Sequence, residues 1–303
     1  MLAQTRARNP QAVAAAATRR QRRPWIGPDG QLLLIAADHT ARGILGAGHE
    51  PMAMAHRGDL LDRILVALSR PGVDGILGTA DIIDDLLLLG ALDDKVVLGS
   101  MNRAGLAGSV FEIDDRFTGY SAHGIADACL DGGKMLLRID PQDPATAGAL
   151  QTCATAVSEL ADRQLVAVIE PFIASRVNDR LTNDLSPEAV IRSAVIASGL
   201  GATSAYSWLK IPVVDDMERV AASFSLPALL LGGDVQERPD EMFERWRHAL
   251  TMPNVLGLVV GRNLLYPPGD DVAAAVDIAA GMVAQAAGNL AAAAPQGSPD
   301  GMP

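Results

Sequence analysis

Lysine is nearly missing from this sequence. Of 25 Lys and Arg residues in 303, only Lys95, Lys134 and Lys210 are lysines. Cysteine is scarce too. Cys129 and Cys153 stand alone, which argues against a disulfide framework or a cysteine metal site and suits a reducing cytoplasm. The five histidines show no HxxxH or similar ligand spacing, so neither a metal nor another cofactor is expected. Positive charge is also short. A net charge of -11 and a pI near 4.8 argue against nucleic-acid binding and a basic membrane-docking face. They leave room for a phosphorylated small molecule, which a few N–H groups and one arginine can hold. No apolar run approaches the roughly 20 residues that span a bilayer.

What is present reads as eight short apolar runs, bounded by Gly, Pro or Asp. They are "LLLIAADH" (32–39), "GVDGILGT" (72–79), "KVVLGSMN" (95–102), "GKMLLRID" (133–140), "QLVAVIEP" (164–171), "YSWLKIP" (206–212), "PALLLGGD" (227–234) and "VLGLVVGR" (255–262). Continuous rather than alternating apolarity is the mark of parallel strands covered on both faces. Helical patterns fall between most of them, at 58–70, 143–163, 186–200, 238–250 and 270–288. The third opens on Ser186-Pro187, a serine N-cap with proline at N1. Eight strands alternating with helices predict an α/β fold, a closed (β/α)8 TIM barrel in a single domain over 31–289. An open doubly wound sheet is the runner-up, but "DHTARG" after the first run lacks the dinucleotide fingerprint.

Residues 1–30 form a separate extension. Arg6, Arg8, Arg19, Arg20, Arg22 and Arg23 precede the first acidic residue, Asp29. That composition resembles a transit peptide, but a basic helix packed on the domain is the favoured reading. Residues 290–303 read as a disordered tail.

Active sites of such barrels lie at the C-terminal strand ends. The polar residues there are Asp38, His39, Asn102, Arg138, Asp140, Glu170, Lys210, Gly232-Gly233-Asp234 and Gly261-Arg262-Asn263, with Lys134 near the middle of the fourth run. A lysine among apolar strand residues is costly to keep charged, so its pKa falls. The neutral amine can attack a ketone or aldehyde and form a Schiff base. Lys134 would depress the Lys210 amine further if it points inward. Asp38 and Glu170 are placed to carry protons. The plainer alternative is that Lys210 pairs with Glu170 or Asp38 and only holds the barrel together. Pairs of that kind often break even, and the rarity of lysine favours chemistry. Gly232, Gly233, Gly261 and Arg262 follow the seventh and eighth runs, where many barrels bind phosphate.

The segments "AADHTARG", "GGKMLLRIDPQDP", "VIEPF", "WLKIPV", "LLLGGD" and "VVGRNLLY" resemble, in order, the class I aldolases of the DeoC/LacD kind. The resemblance implies Schiff-base formation on Lys210, with Lys134, Asp38 and Glu170 in the pocket and the glycine pairs on a substrate phosphate. Three departures stand out. "RID" replaces the paired tyrosines of tagatose-bisphosphate aldolases, giving Arg138 a carboxylate or another hydroxyl pattern to contact. "EPF" lacks the proton-donating tyrosine of archaeal-type fructose-bisphosphate aldolases. "KIPVV" differs from the "KTSTG"-like run of deoxyribose-phosphate aldolases. The resemblance is strongest to a barrel protein of actinobacterial myo-inositol catabolic clusters. It implies cleavage of 5-dehydro-2-deoxy-gluconate 6-phosphate to dihydroxyacetone phosphate and malonate semialdehyde, by a homo-oligomer. Rival expectations are another aldolase substrate (tagatose or fructose bisphosphate, deoxyribose phosphate or a sulfo-sugar phosphate), a non-imine isomerase or epimerase, and a non-catalytic sugar-phosphate-binding barrel.

Overall fold

The computed structural model describes residues 1–233, 235 and 239–293. The eight apolar runs become strands β1 (Leu32–Ala37), β2 (Gly75–Gly78), β3 (Val96–Ser100), β4 (Gly132–Ile139), β5 (Val166–Val177), β7 (Ser207–Pro212), β8 (Ala228–Leu231) and β9 (Val255–Val260). All pair in parallel in that cyclic order, and β9 closes on β1. The ring is the expected closed barrel. One strand went unforeseen. β6 (Arg180–Asn183) runs antiparallel to the far end of β5, as a hairpin above the barrel.

Helices α1 (Leu2–Arg8), α2 (Gln11–Arg19), α3 (Arg57–Ser69), α4 (Ala80–Leu88), α5 (Ala122–Asp127), α6 (Ala145–Ala161), α7 (Pro187–Ser198), α8 (Met217–Ala221), α9 (Pro239–Ala249), α10 (Arg262–Leu265) and α11 (Val272–Ala293) complete the chain. The Ser186 hydroxyl accepts from the Ala189 amide at 3.3 Å, as the Ser-Pro start of α7 requires. Two expectations are corrected at α11. The helix continues to Ala293, past the tail boundary at 290; residues 294–303, like Asp234, lie outside the described residues. Its Val272–Asn289 stretch is also long and apolar enough to cross a bilayer, contrary to the sequence reading. In the fold it packs on α3, α9, α10 and β1, as one wall of the barrel.

Successive strand residues point to opposite faces. Leu33, Ile35 and Ala37 therefore join the outer core under the helices, while Leu32, Leu34 and Ala36 fill the barrel. Trp25 packs edge-on against Trp208 at 5.3 Å, adding the N-terminal segment to the inner cluster. The basic extension is packed on the domain, as favoured. Arg20 is buried and donates to the carbonyls of Lys95 and Cys129, each at 2.6 Å. Arg20 and Arg22 both pair with Asp131, at 3.2 and 2.8 Å, Arg23 pairs with Asp74, and Arg6 reaches Asp85 at 2.6 Å. Asp74 and Asp131 also accept from the strand amides of Leu33 and Val97, each at 2.8 Å. The pairs to Asp74 and Asp131, which precede β2 and β4, tie the extension across the end of the barrel remote from the predicted site, while Arg6 reaches α4 on its flank.

Candidate active site

The C-terminal strand ends surround a cavity of about 790 Å³. The parallel register sets its floor. Lys134 of β4 lies level with Ser100 of β3, and Glu170 of β5 lies level with Leu136, two residues higher. Lys210 comes from β7, the other neighbour of β5. Glu170 therefore stands between the two lysines. Its Oε1 is 2.5 Å from Lys210 Nζ, and its Oε2 pairs with Lys134 Nζ. Asp38, at the end of β1, approaches Lys134 Nζ at 3.3 Å through Oδ2, accepts from the Ser100 hydroxyl at 3.3 Å and pairs with Arg103. All five ionisable side chains are buried.

Burial dominates the electrostatics. It drives the Lys134 amine well below its ordinary value; Glu170 opposes this, while Arg103 and Lys210 reinforce it. Burial pushes Glu170 the other way, but the Lys134 and Lys210 ammonium groups outweigh it and hold the carboxyl well below the usual range. His39 is lowered to about 3 by burial, with Arg262, Lys210 and Lys134 adding to the effect. Its imidazole is neutral, with Nδ1 4.0 Å from Asp38 Oδ1.

Gly232, Gly233, Gly261 and Arg262 line the same cavity. Asn263 donates to the carbonyls of Gly232 at 2.8 Å and Gly233 at 3.3 Å, joining the two loops. A Cβ at position 261 would collide with the Ala36 carbonyl oxygen, so only glycine fits there. Arg138 also lines the cavity and pairs with Glu112 at 3.0 Å. All nine predicted site residues thus share one cavity. Asn102 and Asp140 do not reach it. Asn102 clamps the backbone of Leu136, and Asp140 accepts from the Gln142 amide at 2.9 Å. Their place at strand ends is structural.

Sequence reasoning missed Arg42 and Arg103. Both are buried and line the cavity. Burial lowers Arg42 to about 9, with Arg138 contributing, and lowers Arg103 to about 10. Arg103 directly follows Asn102 at the end of the third run, so the strand-end rule could have found it. Among the described residues, no group of three or more His, Cys, Asp or Glu could hold a metal ion.

A closed barrel with this strand order places the chain in a fold shared with Schiff-base aldolases. An archaeal fructose-1,6-bisphosphate aldolase, solved with its catalytic lysine bound to the carbinolamine intermediate, is similar over 90% of this chain and 99% of its own, at 18% identity and a TM-score of 0.63. A fructose-bisphosphate aldolase from Slackia heliotrinireducens is similar over 96% and 92%, at 14% identity and a TM-score of 0.64. At such identities the likeness is one of fold. The chain belongs to the Cgl0159-like family, whose model matches residues 30–280. Cgl0159 from Corynebacterium glutamicum is 53% identical, with 94% of this chain and 96% of that one covered and a TM-score of 0.92. No curated protein matches the sequence.

Proposed function

We propose that this protein is a metal-independent class I aldolase that cleaves a phosphorylated keto-sugar or keto-sugar acid. The supporting observation is one buried carboxylate, Glu170, shared by two buried lysines that open onto a cavity. A pair serving stability alone gains little from such burial. Facing a cavity, it poises an amine for attack.

Lys210 Nζ gives its proton to Glu170, attacks the substrate carbonyl carbon as the free amine, and the carbonyl oxygen takes up a proton to give a carbinolamine. A second proton carries that oxygen away as water and leaves the iminium. The iminium draws the electrons of the neighbouring carbon–carbon bond, while the hydroxyl one carbon further loses its proton. The bond breaks, releasing an aldehyde and leaving an enamine. Protonation at carbon and hydrolysis free the second product and Lys210. Glu170 and Asp38 carry these protons. Lys134 holds Glu170 ionised between steps. Gly232, Gly233, Gly261 and Arg262 bind the phosphate.

The assay is aldol cleavage across ketose bisphosphates, deoxyribose phosphate and phosphorylated keto acids. 5-Dehydro-2-deoxy-gluconate 6-phosphate, the substrate implied by the sequence resemblance, belongs in that panel. Turnover of at least one member is expected, lost in both Lys210→Ala and Lys210→Arg. A Lys210→Arg enzyme that keeps its turnover would show that only a charge is needed, and would overturn the imine.

A further inference from the structure

His39 faces the cavity but has no part in the chemistry drawn above. It follows Asp38 at the end of β1 and opens the 3-10 turn Thr40–Arg42. β1 pairs with β9 around the ring, so His39 stands beside the Gly261 loop. Its ring carbon Cε1 lies 2.9 Å from where a Cβ on Gly261 would sit. The side chain lines the cavity and is 23% exposed. Among the described residues the imidazole has no hydrogen-bond partner, and neither ring nitrogen is sealed from the cavity. Its Nδ1 is 4.0 Å from Asp38 Oδ1, too far for a hydrogen bond. Asp38 is used unevenly. Its Oδ2 takes Lys134 at 3.3 Å, the Ser100 hydroxyl at 3.3 Å and Arg103. Its Oδ1 has no hydrogen bond to any described residue and is likewise open to the cavity. A neutral imidazole carries one donor and one acceptor, and a carboxylate only accepts. A donor and an acceptor therefore stand side by side, each free to take a ligand.

We infer that His39 and Asp38 together hold one substrate hydroxyl, on the carbon next to the carbonyl that Lys210 attacks. An oxygen about 2.8 Å from each atom spans a separation of this size. The hydroxyl accepts from His39 Nδ1–H and donates to Asp38 Oδ1. Only a group that both accepts and donates can do this, so a carbonyl or an ionised phosphate oxygen cannot. The place of the pair selects the hydroxyl. Gly261, of the phosphate loops, lies against the imidazole, while Lys134 and Glu170 lead from Asp38 to Lys210. The hydroxyl held there belongs to the three-carbon phosphorylated fragment that Lys210 retains, which has one hydroxyl, on the carbon beside the carbonyl. His39 is thus a specificity-determining contact that favours a hydroxylated fragment over its deoxy counterpart. The inference rests on the proposed substrate site.

Calorimetry with sn-glycerol 3-phosphate and propane-1,2-diol 1-phosphate of matching configuration tests the contact apart from the imine. The two ligands differ only in the terminal hydroxyl, and neither has a carbonyl. The full-length protein is expected to bind the first about ten-fold tighter. His39→Leu and His39→Ala should each shrink that ratio toward one, and either decides if the other fails to fold. His39→Asn, whose amide N–H can stand in for Nδ1–H, should keep most of it. Equal affinities in the unmodified protein would overturn the inference. So would a ratio that survives in His39→Leu or His39→Ala, or a His39→Asn protein that discriminates no better than they do. If neither ligand binds, the phosphate site falls and this contact with it. None of these outcomes needs an imine, so the contact can fail while Lys210 still forms one.

Discussion

Glu170 stands between two ammonium groups, and most of the site's behaviour follows from that position. Its folded pKa is depressed below the ordinary 4.5. The stability this supplies is complete above that value and is lost as pH falls below it. Thermal melts should therefore show a falling midpoint from about pH 5 downward in the unmodified protein. Glu170→Gln should start lower at pH 7, because it strands two buried cations, and should fall less on acidification. An equal acid slope in both proteins would count against the pairing. The same substitution should lower kcat about 10²–10⁴-fold in the cleavage assay, the usual worth of a proton carrier. At this scale the lysines were legible because lysine is so rare. Arg103 was within reach of the strand-end rule, but Arg42 was not. Arginine is common in this chain, and nothing local marks a loop arginine as buried.

The strands were legible as elements because both their faces are covered, so each reads as an unbroken apolar run. β6 was not. It lies above the barrel with one edge open, and "RLTN" has no apolar face to betray it. Its signal is the turn Asn178-Asp179, both at positive φ, as a tight hairpin requires. Two element-level substitutions should differ sharply. Ser186→Ala removes the cap of α7 and should cost about 1 kcal/mol, a midpoint shift of about 2–4 °C. Gly257 has φ +136°, and a Cβ there would collide with the Leu32 carbonyl oxygen. Gly257→Ala pushes against the backbone seam between β9 and β1. Its melting midpoint should fall well beyond that of Ser186→Ala, and parity would contradict the seam.

Over the whole molecule, charge is segregated. The chain carries a net -11, yet among the described residues the cavity is lined by seven Lys or Arg side chains against three Asp or Glu. Such a cleft concentrates anions, and their capture should slow as salt rises. The opposite end of the barrel uses its arginines differently, as partners for Asp74 and Asp131 under the N-terminal segment. The sequence showed that segment to be basic but not what it covers, since its partners lie far along the chain. Removing residues 1–23 strands buried Asp131, at about 3–5 kcal/mol. The truncated protein should melt about 10 °C lower. An unchanged midpoint would show that the extension is not part of the fold. The central claim concerns Lys210, and trapping tests it most directly. The protein is incubated with dihydroxyacetone phosphate and borohydride, digested, and its peptides weighed. A reduced triose-phosphate adduct on the Lys210 peptide, absent from Lys210→Ala, is the predicted result. No adduct, or one that survives in Lys210→Ala, would contradict the account.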